Sequence, residues 1–510
     1  MKQILILFTF FVIFINMPGV VLAGNDNDSN TIAYESTVSV NDTIHHNKTQ
    51  ELHDGAVHEA EHDSHEGGEH HVAAGWSVIP FVLLLLLIAA SPLYEHFWHH
   101  HYPKVAISLA IIVVAYYIFV LGNVHSPIHS GFEYFQFIAL LTGLFVASGG
   151  IMINVDKKAT PGLNAKLLLI GAVVANIIGT TGASMLLIRP FIRINKNRIK
   201  AYHIIFFIFV VSNVGGSLTP IGDPPLFLGF LKGVPFFWTL INNFLPWVFG
   251  VVMLVIIFYF IDRRNKEGLE EEPDEIISNK ASIRGSKSFI WLLIIIMAVF
   301  LDPNVFDWVP AIHYEGARFS FLRELIMLTV AFLSYKTASK EILKANEFNF
   351  EPIREVALIF VGIFGTMMPA LELVGLFAQS DTGSALINHN TLYWGTGLLS
   401  GFLDNAPTYL NFLAAGMASV GADMGSVADV AKFANGGYAD SVIMLKAISI
   451  GAVFFGAFSY IGNGPNFMVK SIAEQVGIDM PSFFGYIIKY SLTILLPLYI
   501  LVWLVFFAFV

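Results

Sequence analysis

From residue 76 onward the chain is a succession of long apolar blocks divided by short polar ones. Roughly 17–25 helical residues cross a hydrocarbon core of about 30 Å, or fewer where a partner half-helix completes the crossing. By that measure crossings are predicted near 76–93, 105–122, 133–153, 203–233 and 242–261. After a charged linker at 262–287, more are predicted near 289–301, 321–335, 356–376, 440–469 and 486–508. Two other apolar stretches, 164–192 and 392–417, carry polar residues and helix breakers at their centres. Residues 1–23 read as a signal peptide: Lys2 precedes an apolar run at 4–15, and Val21-Leu22-Ala23 fits a small-residue cleavage site. Residues 24–75 are rich in Asn, Asp, Glu and His and lack apolar periodicity, so a disordered tail is expected there.

The basic residues arbitrate how the two kinked stretches run. If both are re-entrant hairpins, and a cleaved signal peptide leaves Gly24 outside, the inside segments are 94–104, 154–166, 189–202, 262–288, 336–355 and 468–485. These hold 20 of the 28 Lys and Arg residues, whereas the outside loops hold few, such as Lys48, Arg318 and Lys432. That is the positive-inside distribution. Counting either stretch as a full span would put the linker or Arg354 on the wrong side. The first hairpin therefore enters from the cytoplasm and the second from the periplasm. Each follows three crossings and precedes one interrupted and one plain crossing. The fold class expected is an all-α polytopic membrane protein built as a five-plus-five inverted repeat with two re-entrant hairpins and two broken helices. The first repeat is 76–261, a cytoplasmic linker is 262–288 and the second repeat is 289–510.

Composition agrees with a lipid-embedded chain. Of 510 residues, 55% are hydrophobic and 13% charged, and mean hydropathy is +0.67, too apolar for a soluble shell. The net charge of −10 lies mostly outside the apolar blocks and says little about partners. The absence of cysteine excludes disulfides, Cys-based zinc sites and thiol catalysis. No G-x-x-x-x-G-K-[ST] motif, catalytic triad or metalloprotease motif occurs, so neither direct ATP use nor an enzyme is expected, nor a nucleic-acid partner.

Four places require irregular backbone inside the bilayer, which is tolerated only where protein or a water-filled cavity satisfies it. They are the first hairpin tip (179–184, with Thr180, Thr181 and Ser184) and the first broken crossing (212–225, with Ser212, Asn213, Ser217, Thr219 and Asp223). The other two are the second hairpin tip (404–408, with Asp404, Asn405 and Thr408) and the second broken crossing (459–466, with Asn463 and Asn466). Gly and Pro free backbone groups there. Asn, Ser and Thr supply neutral oxygens, and Asp223 and Asp404 supply negative charge. Oxygen ligands suit a small hard cation, and a buried carboxylate also takes up a proton, so one site can hold Na+ or H+ in competition. Glu372 lies late in its crossing, Lys446 and Lys489 can snorkel or pair, and His203 opens a crossing at the interface.

The stretch 212–238, with its G-G-x-x-x-P-I-G-D core at 215–223, resembles the arsenite permease/NhaD branch of the ion transporter superfamily. The L-D-N-A-P-T run at 403–408 is similar to the second signature of NhaD-type sodium/proton antiporters. The resemblance covers roughly 76–510. It implies an inner-membrane transporter with scaffold helices around two hairpins and two broken helices, often a homodimer, with Na+ and H+ as transported ions and no cofactor; the cleaved signal peptide places the N-terminal tail in the periplasm. The resemblance also implies that Asn213 and Asp223 of the first broken helix, and Asp404 and Asn405 of the second hairpin, bind the ions. The chain departs from the pattern in three places. Its first hairpin has Gly179-Thr180-Thr181-Gly182 in place of an Asp-Asn pair, Pro224-Pro225 follows Asp223, and Asn463-Gly464-Pro465-Asn466 replaces a Gly/Ser-rich turn.

Three transport readings follow. One is Na+ (or Li+)/H+ antiport on Asp223 and Asp404. The second is sodium-coupled symport of citrate or a dicarboxylate, for which the neutral first tip is suited. The third is arsenite efflux along hydroxyl groups. Of the 17 His, eight fall in the tail (His45, His46, His53, His58, His62, His65, His70, His71) and four at 96–101 (His96, His99, His100, His101). Such tracts bind divalent metals weakly and titrate near neutrality, or simply form a solvated spacer. A receptor role for the tail would leave both buried acids unexplained.

Overall fold

The computed structural model describes residues 72–510 except 92–93, 156–158, 267–280, 302, 304–305, 307 and 315–316. The expected signal peptide, nearly all of the His-rich tail and the middle of the linker lie outside the described residues. The protein is an all-α polytopic membrane protein. Among the described residues, six helices are long and apolar enough to cross a membrane, or seven if the pair Glu351–Thr366 and Met368–Gln379, bent by 46°, is one span. Among the described residues, sheet is confined to two short antiparallel pairs. Met152–Val155 lies against Ala281–Arg284, with Met152 opposite Arg284, and Ile312–Tyr314 lies against Ala317–Phe319.

The first kinked stretch is one 34-residue helical segment, Pro161–Ile194, interrupted at Gly179 (φ 78°, ψ 155°). Asn164 near its start and Asn195 just past its end exchange side-chain hydrogen bonds, 2.8 Å in each direction. Two ends that touch require two antiparallel legs, so the segment is a hairpin with its tip at Gly179. The second stretch splits into His389–Ser400 and Asn405–Ala418. Its legs also lie side by side: Gly395 abuts Phe412, and Gly416 abuts Leu392.

Each hairpin is followed by a helix that stops and restarts. The first runs Ala201–Val210, then irregular backbone, then Pro224–Lys232. The second runs Ser441–Phe455 and restarts at Gly464–Gln475. Ile204, Ile205, Phe206, Phe207, Ile208, Phe209 and Val210 are all at most 2% exposed, which is why this helix is apolar all round, with no polar stripe. Plain helices, Phe236–Arg264 and the run from Phe483 to Phe506, close the two halves.

Residues 72–510 form one compact unit in which two groups of helices are distinguished, and these also pack on each other, Met368–Gln379 on Asn405–Ala418 and His125–Gly149 on Pro161–Ile194. In the first, a frame, the three crossings of each half pack together: Glu95–Ala115 on Glu351–Thr366, and His125–Gly149 on Leu322–Thr337. Gly362 and Gly365 face Ala106 and Ala110 so closely that a Cβ on either glycine would overlap the facing helix. In the second, a core, the hairpins and broken crossings of opposite halves interlock. The leg Asn405–Ala418 packs on Pro224–Lys232, and Gly464–Gln475 packs on Pro161–Ile194.

Several boundaries differ from the sequence expectation. The third crossing begins at His125, eight residues early, because Ser130 and Glu133 find partners inside the protein. The tail's last residues are docked: Ala73 is 2% exposed and donates its N–H to Glu372 Oε1 (3.1 Å). Short helices Lys340–Ala345, Asp381–Leu386 and Val427–Ala434 occupy connections too short and polar to register as apolar blocks.

Candidate functional site

Asp223 is the centre of the site. It stands at the N-cap position of Pro224–Lys232 with extended backbone, yet its side chain makes no capping bond. An N-cap aspartate ordinarily accepts the free N–H groups of the first helical turn. Here Pro224 and Pro225 occupy the first two helical positions and have no N–H to offer, and the Leu226 N–H donates to the Asp223 backbone carbonyl (3.1 Å). The carboxylate therefore faces the protein interior, 1% exposed. Its Oδ1 accepts from Thr180 Oγ1 (2.7 Å) and Asn463 Nδ2 (2.9 Å), and its Oδ2 accepts from Asn405 Nδ2 (2.6 Å). One carboxylate thus ties together both hairpin tips and both broken crossings. Among the described residues, no Lys, Arg or His pairs with Asp223 or Asp404.

The backbone shows that the halves repeat. Thr180 N–H donates to Gly222 C=O (2.8 Å), and Asn405 N–H donates to Gly462 C=O (3.2 Å). Gly216 crowds Gly222 as Gly456 crowds Gly462. Asp223 accordingly corresponds to Asn463, 240 residues on, Thr180 to Asn405 and Gly179 to Asp404. Asn463 repeats the cap position with Pro465 in the first turn and again no capping bond. Each half carries one acid, on the broken crossing in the first half and on the hairpin tip in the second.

Asp404 behaves differently. Half-buried, it caps its own helix by accepting from Ala406 N (3.0 Å), and Thr408 Oγ1 donates to its backbone carbonyl (2.9 Å). Asn213 donates to Ile208 O (2.8 Å) and Asn466 Oδ1 (2.6 Å) and accepts from Asn463 Nδ2 (3.2 Å). Asn466 donates to Gly456 O (2.8 Å) and Ser459 O (2.9 Å), and Ser184 and Ser212 share a hydroxyl bond of 2.7 Å. Asn463 Nδ2 also donates to Ser212 O (3.1 Å), so of the expected residues Thr180, Ser184, Ser212, Asn213, Asp223, Asn405, Asn463 and Asn466 form one connected cluster. Thr219 and Ser217 are not brought to the carboxylate. Thr219 bonds Asn176 O (2.6 Å) and Ser217 bonds Val214 O (3.1 Å), because irregular backbone uses nearby hydroxyls to satisfy itself. Thr181 is half-buried beside Thr180.

Residues outside the expected set hold the broken segments. Asn176 donates to Gly215 O (2.5 Å) and accepts from Leu218 N (2.9 Å). Trp247 donates to Gly215 O (2.8 Å), Asn243 to Ser217 O (3.0 Å) and Thr239 to Leu218 O (2.9 Å). The second half repeats the device with hydroxyls: Tyr486 to Ala457 O (2.8 Å), Ser491 to Phe458 O (2.7 Å) and Tyr499 to Phe454 O (2.6 Å). Each unpaired backbone group in hydrocarbon costs several kcal/mol, so these side chains are what allow the site to exist. The sequence signal was faint: single polar residues in otherwise apolar closing helices.

Other titratable groups lie elsewhere. Glu372 accepts from Tyr117 OH (2.9 Å) and Ala73 N in the frame. Lys446 and Lys489 lie over the rings of Phe506 (5.4 Å) and Tyr490 (5.4 Å). His203 is buried, not interfacial, with Nε2 3.0 Å from Asp262 Oδ1. Asp262 is also reached by Arg198 (2.8 Å), Tyr202 (2.7 Å) and Asn164 (2.9 Å), joining the mouth of the first hairpin to the closing helix.

A family model described as "Putative citrate transport" matches residues 70–507. No curated protein matches the chain.

Proposed function

The chain belongs to that family of membrane transporters, and from the residues of its site we propose that it exchanges Na+ (or Li+) for H+ by alternating access, as do the NhaD-type antiporters that its runs 212–238 and 403–408 resemble. The observation that carries the reading is the environment of Asp223, a carboxylate 1% exposed whose three side-chain partners are all neutral. Burying a carboxylate without a countercharge costs several kcal/mol. A single positive charge neutralises it, and Na+ and H+ compete for that role. Asp404, at the equivalent tip of the other half, is the second exchanged acid. The site lies where irregular backbone from both halves meets, which suits a binding position that opens to alternate sides.

A carboxylate substrate is the second reading. It is favoured by the family description and by the four helix N-termini, at Thr180, Pro224, Asn405 and Gly464, that begin at the site. Such ends attract anions. Asp223 within the cluster and Asp404 at the adjoining hairpin tip disfavour a polyanion unless cations accompany it.

Everted vesicles carrying the protein should dissipate a preformed ΔpH when Na+ or Li+ is added, and Asp404→Asn should abolish the response without lowering expression. Full activity in that variant would remove Asp404 from the mechanism. No cation response together with sodium-dependent citrate uptake would replace antiport with symport.

A further inference from the structure

Among the described residues, two ion pairs join the frame to the core, and both core partners come from the first half. On the face where the linker and the first hairpin's mouth lie, Arg189 Nη2 meets Glu347 Oε2 at 3.0 Å, with the glutamate side chain 65% exposed. On the opposite face, Lys232 Nζ meets Glu133 Oε1 at 2.6 Å, and here the side chains are only 12% and 7% exposed. In the first pair Arg189 is only 15% exposed, but the open glutamate lets water screen the contact, which therefore holds more weakly. The buried pair is different in kind: separating it leaves charge in a poorly hydrated place.

Lys232 is the last residue of the nine-residue helix Pro224–Lys232, whose N-cap is Asp223. At 1.5 Å per residue that helix is a rod of about 13 Å. It is seated firmly in the core, since Gly229 lies so close to the Tyr409 hydroxyl that a Cβ would overlap it. Displacement of Asp223 with the core is therefore transmitted to Lys232. Glu133 belongs to the frame helix His125–Gly149, whose Phe137 stacks on Phe360 at 4.7 Å. His129, one turn earlier, places Nδ1 3.5 Å from the same Glu133 oxygen, so the carboxylate is held on the frame side as well.

We propose that Glu133 and Lys232 form a latch between frame and core that is closed in this state and must open once in every transport cycle. The proposal rests on the alternating-access reading, in which the body carrying the site shifts against the other. A 2.6 Å ion pair does not survive a shift of several ångströms. Its strength consequently sets how the protein divides its time between states, although neither residue touches the ion site.

The chain has no cysteine, which makes a direct test clean. Gly464 adjoins Asn463, is exposed, and has open space where a Cβ would stand, so Gly464→Cys reports access to the site through its reaction with a membrane-impermeant maleimide. In the full-length protein in sided vesicles, Glu133→Gln or Lys232→Gln should change that rate by about tenfold. The exchanged pair Glu133→Lys/Lys232→Glu should restore it. Unchanged rates in folded single variants, or an exchanged pair no different from them, would overturn the latch. If the single variants do not fold, Glu133→Cys/Lys232→Cys bridged by a short bismaleimide decides: blocked transport supports the latch, and transport at the unbridged rate refutes it. The alkylation readout needs no transported ion, so failure of Na+/H+ exchange in the vesicle assay would not be confused with failure of the latch.

Discussion

Replacing Asp223 by Asn removes one negative charge and almost no volume, and its consequences for folding and for transport should diverge. The Oδ1 position keeps its two donors, Thr180 and Asn463. The new amide NH2, placed at Oδ2, would face the Asn405 NH2 now 2.6 Å away. That opposition costs about 1–3 kcal/mol if nothing moves, and less if the Asn405 amide turns over to present its oxygen. Against it stands the desolvation of a carboxylate held only by neutral groups, a penalty of several kcal/mol that the variant escapes. The net effect on stability should be zero or favourable. Transport should be lost, because a cation about 4 Å from the missing charge forfeits about 4 kcal/mol at an effective dielectric of about 20, nearly a thousandfold in affinity. Melting of the detergent-purified protein by intrinsic fluorescence, beside cation-driven ΔpH dissipation in vesicles, measures both. A variant that melts well below the native protein, or that retains exchange, would refute the argument that Asp223 is an uncompensated charge kept for its ligand.

Gly179→Ala should destabilise the first hairpin by about 1–3 kcal/mol, since φ 78°, ψ 155° is a region almost reserved for glycine; the added Cβ also stands 3.2 Å from Ile221 O. An unchanged melting temperature would show that the tip relaxes freely. Asp262→Ala should cost about 3–5 kcal/mol by leaving Arg198, 2% exposed, without its carboxylate; the check is yield and melting of the purified variant, and native-like values would mean that Arg198 finds another acceptor.

How much of this was legible in the chain follows from how far each determinant acts. Apolar block length is local, and so are the breaks: Gly179, Pro224-Pro225 and Gly464-Pro465 each stand where a helix is interrupted or restarts, whereas the lone Pro103 and Pro246 are carried inside helices. Charge distribution is additive along the chain, and it sufficed to read 164–192 and 392–417 as hairpins, which the Asn164–Asn195 contact bears out for the first. Acids in apolar surroundings marked Asp223 and Asp404 as unusual for the same reason. The exact residues that meet Asp223 were another matter. Asn405 and Asn463 reach it from 182 and 240 residues away, through the crossing of two inverted halves, and no local pattern encodes that approach.

The sequence by itself determined that this protein lies in a membrane, where its helices break and where acids stand in apolar surroundings, because solvation, backbone propensity and charge act residue by residue. Only the tertiary structure decided which of those side chains share one carboxylate, which polar residues of the closing helices satisfy the broken backbone, and that His203 and Asp262 form a separate cluster. Hydrogen bonds are short and directional, and their partners are chosen by packing between distant segments.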